Sequence, residues 1–152
     1  MRHLLPFIFF LAPGFGRAQI QWKREIAPSL CLFVAGALEG QAETLKWAPD
    51  QFQKRFPGAN MNYWNPELSW SNKYKNGNPS KGAAYFGSTT FLAWTTDGYH
   101  LTRSMKNVIS LTGILITVDM KGQKWYVYLI KSALYSVAYA SGFHITYSLI
   151  YE

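Results

Sequence analysis

Asp97 and His100 stand three residues apart, at helical spacing, in a mainly apolar run from 89 to 118. An imidazole steadied by a carboxylate can take or give a proton near neutral pH, and both groups ligate divalent metals. Two further apolar runs carry ionisable groups of the same kinds. Glu39 and Glu43 lie within 26–47, and His144 lies within 125–151. Glu39 and Glu43 are four apart and share a helix face. Two histidines with two or three carboxylates on helices suit zinc or iron. Glu39, Glu43, Asp97, His100 and His144 are therefore the candidate metal ligands. The same residues also fit ion pairs with Arg103 or Lys131, a proton relay, or a hydrogen-bonded cluster that serves structure alone. Ser104 and Ser141 lack the strained turn of a hydrolase nucleophile, which argues against serine hydrolysis.

Three long helices are needed to bring these groups together. The first is expected over 26–47, with Pro28 in its opening turn, where a missing N–H costs nothing. Ala35, Gly36, Gly40 and Ala42 cluster near Glu39 and Glu43. Small residues let a second helix approach closely, so this face should meet a neighbour. The second helix is expected over 89–118, capped by Ser88 or Thr89. Along it Asp97, His100, Ser104 and Asn107 form one polar stripe. The third is expected over 125–151. There His144 shares a face with Ala133, Val137, Ala140, Ser141 and Ser148, which reads as a close-packing face.

The connection from 48 to 87 differs in composition. Residues 49–57 fit a short amphipathic helix between two prolines. Beyond them Asn60, Asn62, Asn65, Asn72, Asn76 and Asn78 signal turns, interleaved with Tyr63, Trp64, Trp70 and Tyr74. Trp, Tyr and Lys together suit a membrane interface, with a ligand platform for sugars or single strands as the alternative.

Composition narrows the function classes. The 152 residues suit one domain with a real core. Hydrophobic residues make up 49% and charged residues 15%, against the usual ~25% charged. The shift points towards lipid or heavy burial, although mean hydropathy is only -0.08. The net charge of +7 is spread out, with no dense basic run or nucleic-acid motif. Anionic head groups account for it without nucleic acid. Cys31 is the single cysteine, so no intramolecular disulfide forms.

Residues 1–18 read as a secretory signal: Arg2 and His3, an apolar core too short to span, then small residues ending at Ala18. Residues 19–152 are then one helical, membrane-associated domain. With the new N-terminus outside, the connection lies inside. It carries six basic and two acidic residues between 46 and 87, in keeping with the positive-inside rule. The turn at 119–124 would lie outside and the C-terminus inside.

Three runs are similar to a family of small bacterial envelope proteins of uncharacterised activity. They are Ala35-Gly36-Ala37-Leu38-Glu39-Gly40, the segment from Trp64-Asn65-Pro66-Glu67 through Asn76-Gly77, and Thr95-Thr96-Asp97-Gly98-Tyr99-His100. The resemblance covers most of the chain after the signal. It implies envelope location and a single domain, and it assigns no catalytic residue.

The expectation is an all-α bacterial protein, integral to the membrane or associated with it, with transmembrane helices and a polar, metal-binding centre between them. Its partners would be the lipid bilayer and another membrane protein. The alternatives are a membrane-embedded metal-dependent hydrolase of lipid-like substrates, a non-catalytic scaffold, and a soluble periplasmic helical domain.

Overall fold

The computed structural model describes residues 20–117 and 123–151, so the expected signal and most of the 119–124 turn lie outside the described residues. The fold is all-α, with no strand among the described residues. Three long helices dominate: α1 (Trp22–Trp47), α5 (Gly98–Thr117) and α6 (Trp125–His144), the last continued by a π-helical segment at Ile145–Ile150. Three short helices, α2 (Pro49–Arg55), α3 (Met61–Trp64) and α4 (Pro66–Ser69), fall in the connection, followed by single 3-10 turns.

Three of the six asparagines work as expected, while Asn62 and Asn72 lie inside short helical turns. Asn60, Asn65 and Asn78 each accept a hydrogen bond from the backbone N–H two residues on, at 2.9–3.0 Å. Each starts a helical turn where the chain must change direction.

The start of the second long helix differs from expectation. Neither Ser88 nor Thr89 caps it, and residues 89–97 form turns. Asp97 is the cap: its carboxylate accepts the His100 N–H at 2.7 Å and its carbonyl accepts the Leu101 N–H at 3.1 Å. Thr89, Thr90, Phe91, Trp94, Thr95 and Thr96 are weak helix formers, while an aspartate cap supplies both a strong acceptor and a negative charge at the helix N-terminus.

α1 lies in the middle. α5 packs on one side of it and α6 on another, and α5 and α6 make little contact with each other among the described residues. α6 runs parallel to α1, because Glu25 meets Lys131 and Gly36 meets Tyr139 further along. α5 runs antiparallel, with Lys106 beside Glu39 and Gly113 against Cys31.

The small-residue face of α1 does meet a neighbour. A Cβ built on Gly36 would stand 2.0 Å from the Tyr139 carbonyl oxygen, and one on Gly142 would stand 2.0 Å from that of Phe33. The two backbones touch directly through reciprocal glycines. The face of α6 used here carries Lys131, Tyr135, Tyr139 and Gly142, not the predicted His144 face. Ala133, Val137, Ala140 and His144 point outward. α6 is apolar nearly all round, so its pattern could not choose a face.

A second, aromatic core closes the connection end. Leu45, Phe52 and Tyr151 are buried, with Met61, Trp64 and Tyr99 packed around them. Outside these contacts large apolar side chains stay exposed along all three long helices: Ile26 and Leu30, Leu111 and Leu115, Leu129 and Val137. No described helix is long and apolar enough to cross a membrane.

Gly36→Val should lower stability by about 1–3 kcal/mol or more, because a carbonyl cannot move aside as a flexible side chain can. Gly58→Ala, with nothing within 4 Å of the new methyl, should stay within about 0.5 kcal/mol. Thermal unfolding followed by circular dichroism compares the two.

Candidate functional site

The connection acts as a frame for the N-terminus of α5. Asn72 donates from one amide to the Asn62 carbonyl at 2.8 Å and the Thr96 carbonyl at 3.2 Å, tying α3 to the residue before the cap. The Trp64 indole lies on Gly98, where an added Cβ would approach Cε3 to 2.2 Å. Only glycine allows that contact at the first position of the helix. The Tyr85 and Thr95 hydroxyls are hydrogen-bonded to each other.

Within this frame Asp97 is 2% exposed. One carboxylate oxygen accepts the His100 N–H, and both lie close to His100 Nδ1, at 2.9 and 2.7 Å. Thr96 Oγ1 adds a longer contact of 3.3 Å. The His100 side chain is 45% exposed. The network assigns the proton of a neutral ring to Nδ1, facing the carboxylate, and leaves the Nε2 lone pair as the free acceptor. Burial, then the Asp97 charge, then Tyr85 hold the Tyr63 phenol above its ordinary pKa. Chemically this is an oriented imidazole that can accept a proton or a hydrogen bond.

The other predicted ligands lie elsewhere, and the five-residue centre does not assemble. Glu39 faces α5, where Lys106 Nζ stands 2.8 Å from its Oε2 in an ion pair without an aligned hydrogen bond. Glu43 accepts the Trp47 indole N–H at 2.8 Å within its own helix. His144 lies on the outer face of α6, in a shallow groove with Val137, Ser141 and Leu149. Asp97 and His100 are the two of the five bonded to each other. Among the described residues no group of three or more His, Cys, Asp or Glu side chains is placed to hold a metal ion. The antiparallel register of α5 explains the difference: it sets a lysine, not a histidine, opposite Glu39.

A buried polar cluster was not anticipated at Glu25, which reads in sequence as a flank of the first helix. It is 2% exposed and pairs at 2.7 Å with Lys131, itself 5% exposed. The Tyr135 hydroxyl donates to the other Glu25 oxygen. Lys131 and Tyr135 are four apart in an apolar helix, which marks a polar spot there. Nothing in the sequence names Glu25 as the partner.

Comparisons with protein-family models, curated proteins and solved structures found no match.

Substitutions at both clusters test this geometry. Asp97→Ala should cost about 1–2 kcal/mol through the lost cap, and Asp97→Asn should recover much of it because an acceptor oxygen remains. In the same denaturation series, His100→Ala should destabilise more than Lys81→Ala, a change at an exposed loop position expected within about 0.5 kcal/mol. At the other cluster, Lys131→Met should cost about 3–5 kcal/mol by stranding a buried carboxylate. The double variant Glu25→Gln/Lys131→Met should cost less than the two singles combined, with a coupling of about 0.5–3 kcal/mol.

Proposed function

We propose that this chain is a small bacterial envelope protein seated in the lipid bilayer. α1, α5 and α6 lie against acyl chains, and the connection forms a polar head at the interface that presents the Asp97–His100 pair. One observation carries the reading: large apolar side chains stand exposed along all three long helices. Leu115 is 69% exposed, and Ile26, Leu30, Val108, Leu111, Leu129 and Val137 are exposed with it. Water-soluble domains normally bury such residues between two packed layers. Here α1 has two neighbours that do not close over it. Small residues inside and large apolar residues outside are the arrangement of helices that associate in lipid.

The charges within the helices fit this reading once they are paired. Glu25 and Lys131 neutralise each other near one end of α1, and Glu39 and Lys106 do so further along. Each helix alone carries ionisable groups that would cost about 2.5–3.5 kcal/mol apiece in lipid. Assembled, the helices turn those groups onto one another. Exposed Trp22 and Trp125, beside Lys23, Arg24 and Lys124, mark one rim, and Trp47 with Lys46 marks the other. Trp and Lys at rims match the interfacial zone. The signal-like residues 1–18, together with the resemblance read in the sequence, support an exported location.

The chain expressed in bacteria should stay with the membrane pellet after an alkaline carbonate wash and leave it only with detergent. A monodisperse monomer obtained from the same cells in detergent-free buffer would refute the proposal.

A further inference from the structure

We propose that the 83–94 loop of the head is a second lipid contact, an aromatic wedge that enters the head-group layer of an anionic bilayer surface. This deepens the reading above and rests on it for the position of the head. Phe86 is 86% exposed and Phe91 63% exposed, and their rings stack edge to face at 5.8 Å. A loose loop would fold such rings inward, but this loop is held. Ala84 N–H donates to the Lys73 carbonyl at 2.9 Å, Ser88 Oγ donates to the same carbonyl at 2.8 Å, and Lys75 N–H donates to the Gly82 carbonyl at 3.0 Å. Gly87 takes a positive φ of 82°. Its missing side chain lets the Phe91 ring lie over the turn, where a Cβ would meet Phe91 Cζ at 2.9 Å. The scaffold thus fixes two aromatic rings in the outward position.

Charge identifies the occupant. From residue 68 to residue 96 the chain carries Lys73, Lys75 and Lys81 and no acidic residue. An apolar wedge in a stretch whose only charges are lysines complements an anionic head-group surface, where rings enter the acyl boundary and ammonium groups stay with phosphate. The end of the same loop reaches the apolar side of α5. Trp94 shares a groove of about 560 Å³ with Leu101, Met105 and Val108. One lipid surface can therefore cover both.

The test uses the full chain with Cys31→Ala, carrying a single environment-sensitive thiol dye at Ala84→Cys or, separately, at Leu115→Cys. Each protein is reconstituted into vesicles of phosphatidylcholine alone or with phosphatidylserine. The expected result is an Ala84→Cys dye protected from aqueous iodide and quenched by bilayer-resident quenchers, more strongly with phosphatidylserine. Phe86→Ser/Phe91→Ser should return it to water, and Lys73→Gln/Lys75→Gln/Lys81→Gln should remove the phosphatidylserine dependence. If the Leu115→Cys dye is in lipid while the Ala84→Cys dye stays in water, the wedge is overturned and the bilayer reading stands. Both dyes in water overturn both. Protection at Ala84→Cys that is equal in the two lipid mixtures overturns the assignment of an anionic surface.

Discussion

Backbone contact between α1 and α6 is the constraint on which the other features depend. At Gly36 and Gly142 each helix lies against a carbonyl of the other, with no room for a methyl group. That contact fixes the parallel register of the pair. The register in turn decides that Glu25 meets Lys131 and that α6 turns His144 outward. Interiors packed this tightly resist adjustment, so a shift of one residue along either helix would separate the buried charges as well as the glycines.

The ion pairs follow from the same arrangement. α1 is the shared helix, and each neighbour brings one lysine to one of its glutamates: Lys131 from α6 to Glu25, Lys106 from α5 to Glu39. The Glu25 pair is nearly sealed from solvent and carries an additional tyrosine donor. Buried pairs of this kind add little net stability over apolar residues but penalise mismatched partners heavily. A shifted register would leave the glutamates buried without their lysines, which disfavours it. α6 most needs such a device, since its surface is apolar nearly all round.

The head solves a different problem. It is built from short turns, and its order comes from side chains that satisfy backbone groups: asparagine caps, the Asn72 bridge and the Ser88 bond to Lys73. These place Trp64 on Gly98 and so set where α5 begins. Asp97 completes the helix and orients His100 with the same carboxylate. One residue thereby serves stability and presents a directed imidazole at the surface of the head.

Local chemistry was legible in the sequence. Apolar runs set the all-α class, the small residues of α1 marked a helix with a close neighbour, the asparagines marked turns, and the three-residue spacing of Asp97 and His100 marked their contact. Each of these depends on residues within about one helical turn of one another. Pro28, expected in the opening turn, lies inside α1, which begins at Trp22. The tertiary structure alone decided which helix faces meet. Glu39 found Lys106 rather than a histidine, Glu25 moved from a flank to the interior, and the helix expected from 89 began at Gly98. Those outcomes rest on register between segments far apart in the chain. Helices apolar on several sides leave that register open until backbone fit at a few glycines closes it.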